Sequence, residues 1–263
     1  MARVNSPSLK VTCSPASNVT AVGEGAWRLS VPAGAGGKYR LAQLDDYSGL
    51  PRHLFPWHSP LGLSLRARAS AVALPGTWGF GLWNDPFSLS LGFGGGTRRF
   101  PALPNTAWFF HASPPNFLSL RSDLPAQGFL AATFRSPTLP APLLAALSPA
   151  LMLFTLPPAA RLLRRLAGRF IRQDAALVDA ACTINATDWH TYQICWNLDS
   201  VIFSVDSETV LNTPISPRGH LALVLWIDNQ YAALPPNGRL AFGALPNLQP
   251  AWIEIGDLYL TVS

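Results

Sequence analysis

Two short units carry most of the chemistry this chain offers: Trp83-Asn84-Asp85 and Trp226-Ile227-Asp228. On a β-strand, residues two apart share a face, so each unit aims an indole and a carboxylate in one direction. A carboxyl group set against an aromatic wall resists ionisation, which moves its pKa toward the range of a general acid. Asp85 and Asp228 are therefore the candidate catalytic residues. Trp83, Asn84, Trp226, Asn229, Gln230 and Tyr231, joined by His111 from another strand, are the candidate substrate contacts. The same residues also have a plainer reading. Asp85 precedes Pro86 and Asp228 precedes Asn229, as residues at strand ends do, and strand tryptophans commonly fill a core.

Other motifs offer less. Gly34-Ala35-Gly36-Gly37-Lys38 has Pro32 where a phosphate loop needs its first glycine and Tyr39 where it needs serine or threonine. Gly92-Phe93-Gly94-Gly95-Gly96-Thr97 lacks the third glycine of a dinucleotide fingerprint and reads as a turn. His53 and His58 flank Phe55-Pro56-Trp57 with no further metal ligand close in sequence. Neither a GxSxG elbow nor an HExxH helix is present.

The elements that must position these residues are strands. Leu63, Leu65, Ala67 and Ala69 alternate with Ser64, Arg66 and Arg68, the period of a half-buried strand. Two strands separated near Pro86 are predicted over 77–93, with short ones over 108–112 and 117–121. Toward the C-terminus, 190–196, 201–206 and 209–211 read as an antiparallel meander, followed by strands over 221–228 and 252–262. Twenty glycines and 25 prolines, scattered in short clusters, suit many strands joined by tight turns. The prediction is a single all-β domain over residues 1–263, an antiparallel two-sheet sandwich.

Charged residues make up only 13% of the 263 residues and hydrophobic ones 49%, ample material for one large core. The net charge is +5, but five of the seventeen arginines fall between Arg161 and Arg172, so the basicity is local and nucleic acid is not an expected partner. Three cysteines without CxxC spacing predict neither a disulfide framework nor a zinc ribbon. With no signal-peptide core near the start, the expected location is cytoplasmic, with the membrane surface as a candidate contact.

That contact would be made by an insertion over residues 137–178. Residues 136–160 carry no charge, yet Pro140, Pro142, Pro149, Pro157 and Pro158 break them into pieces too short to span a bilayer. After Pro157-Pro158, Arg161, Arg165, Arg169 and Arg172 recur at helical spacing, while Leu162, Leu163, Leu166 and Phe170 take another side. The reading is a short basic amphipathic helix. Its apolar side either packs on the sandwich, lids an apolar pocket or touches an anionic membrane through the 137–172 segment.

Trp189-His190-Thr191-Tyr192-Gln193-Ile194-Cys195-Trp196, followed by Asp199 to Asp206, resembles the family 16 glycoside hydrolases and their concanavalin-like relatives. Gly76-Thr77-Trp78-Gly79-Phe80-Gly81-Leu82-Trp83 is similar to the family's tryptophan-rich central strand, and Ile253 to Leu260 to its last strand. The resemblance implies a laminarinase-type jelly roll in which both Trp-x-Asp strands belong to the concave sheet and both aspartates enter one cleft. It also implies that Asp257 sits where the family can bind a structural calcium; no other cofactor is implied. The family's two glutamates flanking an aspartate on one strand have no counterpart here, since the only glutamates are Glu24, Glu208 and Glu254.

Three functions follow as expectations. One is a carbohydrate-related protein that binds or hydrolyses a glycan in a Trp/Asp-lined cleft by a non-standard site. A second is an acid–base enzyme (cyclase, isomerase or hydrolase) acting on a bulky apolar terpenoid or lipid. The third is a non-catalytic scaffold or an interaction protein at the membrane surface.

Overall fold

The computed structural model describes residues 2–5, 8–86, 102–139, 144, 157–236 and 240–262. Two antiparallel sheets pack face to face. The first contains β1 (Ala2–Asn5), β3 (Asn18–Gly23), β4 (Ala26–Val31), β6 (Leu61–Ala69), β11 (His190–Trp196), β12 (Val201–Val205), β13 (Glu208–Thr213) and β17 (Ala251–Val262). Its order is β13-β12-β11-β6-β17-β4-β3, with β1 also on β17. The second runs β10-β9-β8-β7-β14-β5-β2. Its strands are β2 (Lys10–Cys13), β5 (Leu41–Asp45), β7 (Thr77–Trp83), β8 (Thr106–Ala112), β9 (Gly128–Arg135), β10 (Arg172–Leu177) and β14 (Ala222–Asp228). A hairpin of β15 (Gln230–Ala233) and β16 (Ala241–Ala244) stands apart.

Alternation decides what lies between the sheets. Leu63, Leu65 and Ala67 of β6, Tyr192 and Ile194 of β11 and Ile253 and Ile255 of β17 meet Trp78, Phe80 and Leu82 of β7 and Leu223, Leu225 and Ile227 of β14 in one buried cluster. The other face of the eight-stranded sheet is polar. There Glu254 accepts from Arg28 and Arg68, and the guanidiniums of both lie over the Trp252 ring at 4.6 and 5.6 Å. Arg66 and Arg68 lie over Trp189 at 5.2 and 5.1 Å, so indoles and guanidiniums alternate across this face. Burial pushes the Glu254 carboxyl up, but hydrogen bonds from Arg68 and Arg28 hold it below its ordinary pKa.

The seven-stranded sheet differs in kind because both its faces are covered. All seven residues of β8 and all seven of β14 are buried. A second cluster, containing Trp108, Phe110, Leu130, Phe134, Ala175, Val224 and Trp226, fills its outer face. The segment predicted as a strand over 117–121 is instead a strap over that face. It makes one bridge, Phe117 to Ala233, while Leu118 and Leu120 pack on the outer cluster.

Strands β9 and β10 pair directly, Arg135 opposite Arg172, so the chain between them is an excursion from one sheet edge. Within it, α1 spans Pro157–Phe170, and a single turn, α2 (Val178–Ala181), follows β10. Much of the uncharged stretch predicted as an apolar loop lies outside the described residues. No helix among those residues is long and apolar enough to cross a membrane.

Candidate functional site

Bare backbone prepares the outer face of the seven-stranded sheet. Thr77, Gly79, Gly81 and Trp83 of β7 point outward, alternating with the inward Trp78, Phe80 and Leu82. Gly79 pairs with Trp226 on one side and Phe110 on the other, and Gly81 pairs with Val224 and Trp108. With no side chain on this central track, the indoles of three strands close over it. Trp83 and Trp226 stack 5° from parallel with centroids 6.3 Å apart, and Trp108 lies 6.0 Å from the first and 5.5 Å from the second. Tyr47 closes the Trp83 end with an edge contact at 5.9 Å.

The three indole N–H groups have different fates. Trp226 Nε1 donates to Thr77 Oγ1 at 2.9 Å, and Thr77 Oγ1 in turn donates to Asp228 Oδ1 at 2.8 Å. The Nε1 atoms of Trp83 and Trp108 are buried and have no acceptor among the described residues, Trp108 being only 4% exposed. A buried donor left unpaired costs about 1–3 kcal/mol, and an acceptor from outside can relieve that cost only where the cluster opens at its Trp83 rim.

Asp228 lies at the end of this cluster. Oδ1 also accepts from Gln230 N at 3.1 Å, and Oδ2 accepts from Tyr39 OH at 3.3 Å. Burial dominates these bonds, and the carboxyl pKa is pushed up to about 7. The pairing of indole and carboxylate on one face is thus realised at Trp226 and Asp228.

The two Trp-x-Asp units do not form one acid pair. Both run from Trp to Asp along the chain, but β7 and β14 are antiparallel. The indoles therefore converge while the aspartates diverge. Asp228 sits opposite Thr77, and Asp85 lies two residues beyond the far end of β7, which from Thr77 to Trp83 is about 20 Å long at the rise of an extended strand. That is well beyond the 5–9.5 Å over which two carboxyls cooperate on a glycosidic bond. Asp45, the other carboxylate on the outer face of β5, is committed to a turn. Its oxygens accept from Tyr47 N, Ser48 N, Ser48 Oγ and Gln43 Nε2.

Several predicted contacts have other duties. His111 points between the sheets, stacked on Trp78 at 5.8 Å, and burial lowers its pKa to about 4; it is on the wrong face for the indole cluster. Asn84 ties down a loop, donating to Leu103 O and accepting from Asn105 N. Asn229 is fully buried and clamps two segments, bonding Arg40 N and Lys38 O in one and Leu245 O in the other. Gln230 meets Asp228 through its backbone, and Tyr231 sits on the β15–β16 hairpin. Asp257 faces solvent at an irregularity of β17, 3.6 Å from Arg66, a cation in a place where calcium would need more oxygen ligands. Among the described residues, no three His, Cys, Asp or Glu side chains gather as a metal site.

Sequence reasoning missed Trp108, Thr77 and Tyr39. Trp108 stands in a run, Ala107 to Phe110, that shows no alternation, and the two hydroxyl residues were not tied to Asp228 by any spacing.

Fold and site together define the class: an antiparallel two-sheet β-sandwich whose seven-stranded sheet carries an indole cluster on its outer face. No protein-family model matches the chain, and no curated protein matches it. Among solved structures it is similar to LamAcat from Zobellia galactanivorans, at 11% identity and a TM-score of 0.47, covering 92% of this chain and 79% of that one. It is also similar to a Bacillus licheniformis β-glucanase, at 10% identity and a TM-score of 0.45 over 94% and 83% of the two chains. A third is the carbohydrate recognition domain of Emp46p, at 11% identity and a TM-score of 0.42 over 96% and 87%.

Proposed function

We propose that the protein binds a glycan at the half-buried Trp83, the accessible rim of the outer indole cluster that Trp108 and Trp226 back, without the paired-carboxylate hydrolysis of a glycosidase. The observation that carries this reading is Trp83, half-buried at the rim of a three-indole cluster, with an Nε1 that has no acceptor among the described residues. A sugar ring offers what such a cluster lacks. Its C–H face stacks on an indole, and its hydroxyl and ring oxygens accept N–H donors. The separation of Asp85 from Asp228 removes the acid and base that a two-carboxylate mechanism needs.

The test is titration of the full chain with a panel of β-glucan oligosaccharides, read by indole fluorescence and calorimetry. At least one is expected to bind and shift the emission, and Trp83→Ala is expected to weaken that binding about tenfold, the worth of one good stacking contact. A folded protein that binds nothing in the panel, or a Trp83→Ala variant that binds as well as the parent, would overturn the proposal.

One observation favours a second reading, an acid–base enzyme on a bulky apolar substrate. Asp228 holds its proton near neutral pH beside an aromatic wall able to steady a developing cation. On this reading a polyprenyl substrate incubated with the protein gives a cyclised or isomerised product by mass spectrometry, and Asp228→Asn abolishes its formation. Recovery of the polyene unchanged from the parent protein eliminates it.

A further inference from the structure

Helix α1 is mounted the opposite way round from an ordinary surface helix. Among its described side chains the buried one is Arg164, 7% exposed, whose Nη1 donates to Ser119 O and, at 2.8 Å, to Leu234 O while the guanidinium lies 5.4 Å from the Phe117 ring. Ala167, one turn on, packs on the outer aromatic cluster. Leu162, Leu166 and Phe170, which the apolar-inside rule would bury, are 53%, 41% and 58% exposed. At four-residue spacing they form one stripe along the helix.

A second stripe runs beside it. Arg161, Arg165 and Arg169 each precede a member of the apolar stripe by one residue, and all three are exposed. None has an acidic partner among the described residues, and residues 157–170 contain no aspartate or glutamate. At about 100° per residue, the ridge opposite Arg164 lies between the two stripes, so both face away from the protein together. The basic surface continues past the helix. Arg172 pairs opposite Arg135, and burial, followed by repulsion from Arg218 and Arg172, lowers the pKa of Arg135, with Asp199 a weaker opposing influence.

We propose that α1 is a membrane-docking element that lies flat on an anionic lipid leaflet, Leu162, Leu166 and Phe170 in the acyl boundary and Arg161, Arg165 and Arg169 on the headgroups. An apolar stripe flanked by uncompensated arginines is the pattern that binds such an interface. A second copy of this chain fits the surface less well, because pairing the apolar stripes brings basic rows together with no carboxylate on either helix to meet them. The surface is separate from the indole cluster, so this inference does not depend on the glycan reading.

The experiment is cosedimentation of the full chain with vesicles of phosphatidylcholine alone or with 30% phosphatidylserine. Binding is expected to the phosphatidylserine vesicles and to be at least tenfold weaker with phosphatidylcholine alone or in high salt. The variant Leu162→Ser/Leu166→Ser/Phe170→Ser changes exposed positions only, and is expected to keep the parental circular dichroism while losing at least tenfold in vesicle affinity. Trp83→Ala is expected to bind vesicles as the parent does. No binding of the parent to phosphatidylserine vesicles, or equal binding by the folded triple variant, overturns the proposal. So does a parental dimer in sedimentation equilibrium that the triple variant converts to monomer without any vesicle binding.

Discussion

Replacing Gly79 with alanine is expected to cost at least about 3 kcal/mol of stability, and Gly81→Ala a similar amount, a large part of the roughly 5–15 kcal/mol that holds a domain folded. A Cβ on Gly79 would stand 2.4 Å from Phe109 O and 2.9 Å from Phe110 Cα; on Gly81 it would stand 2.5 Å from both Ala107 O and Trp108 Cα. These are backbone atoms of a paired strand, and no side-chain rotation relieves them. Relief requires β7 and β8 to separate, which breaks the ladder under the indole cluster. Gly168→Ala provides the contrast, since its Cβ would meet only Leu120 O at 3.8 Å in a helix that alanine favours, and its expected effect is neutral or stabilising. Denaturant melts of the three variants, with near-ultraviolet circular dichroism reporting the indoles, decide the matter. A Gly79→Ala protein as stable as the parent would mean that the two strands are not so closely apposed.

The same glycines show why some of the fold was legible and some was not. The meander of β11, β12 and β13 lies in a sheet with one wet face, so apolar and polar residues alternate and the strands can be read from the sequence. Strand β11 falls at 190–196 as predicted. In the seven-stranded sheet both faces are covered, and alternation disappears. Gly128 to Arg135 reads Phe-Leu-Ala-Ala-Thr-Phe through its middle, which suits a buried strand or a helix equally, and β9 was not predicted. Strands β2 to β5 near the N-terminus were also not predicted. The second strand predicted over 77–93 lies outside the described residues.

At the candidate site, face-sharing within one Trp-x-Asp unit was legible because it depends only on strand period. The relation between the two units was not, because it depends on strand direction and register, which residues within either unit do not encode. Helix α1 was legible in extent, from Pro157 onward, but not in orientation. The rule that leucines go inward fails at Leu162 and Leu166, and the inward place is held by Arg164, whose guanidinium satisfies the Ser119 carbonyl of the strap and the Leu234 carbonyl after β15, which a leucine would have left without a donor.

Asp228→Asn is expected to make the protein more stable at pH 8 than the parent, by up to the order of 4 kcal/mol, and to leave the two equal near pH 4. The folded protein holds the Asp228 proton up to about pH 7, whereas an unfolded aspartate releases it near pH 4. The folded state thus binds more protons between those values, and the stability that this group contributes at low pH is lost as pH rises through 7. Asparagine mimics the protonated acid. Its oxygen accepts from Thr77 and Gln230, and its amide donates toward Tyr39 OH. Asp46, pushed up to about 6 by burial despite its bonds from Trp57 Nε1 and Leu223 N, acts in the same direction. His111 opposes them. Burial holds its pKa down to about 4, so its contribution is complete above about 6.5 and is lost as pH falls toward 4. Two carboxyls outweigh one imidazole, so the parent loses stability as pH rises from 4 to 7, whereas in Asp228→Asn the remaining Asp46 and His111 nearly offset each other and the profile is shallow. Thermal melts from pH 4 to 9 measure both. If Asp228→Asn were the less stable protein at pH 8, the carboxylate would be ionised and well solvated in the fold, and its place against Trp226 would not be the dry one described.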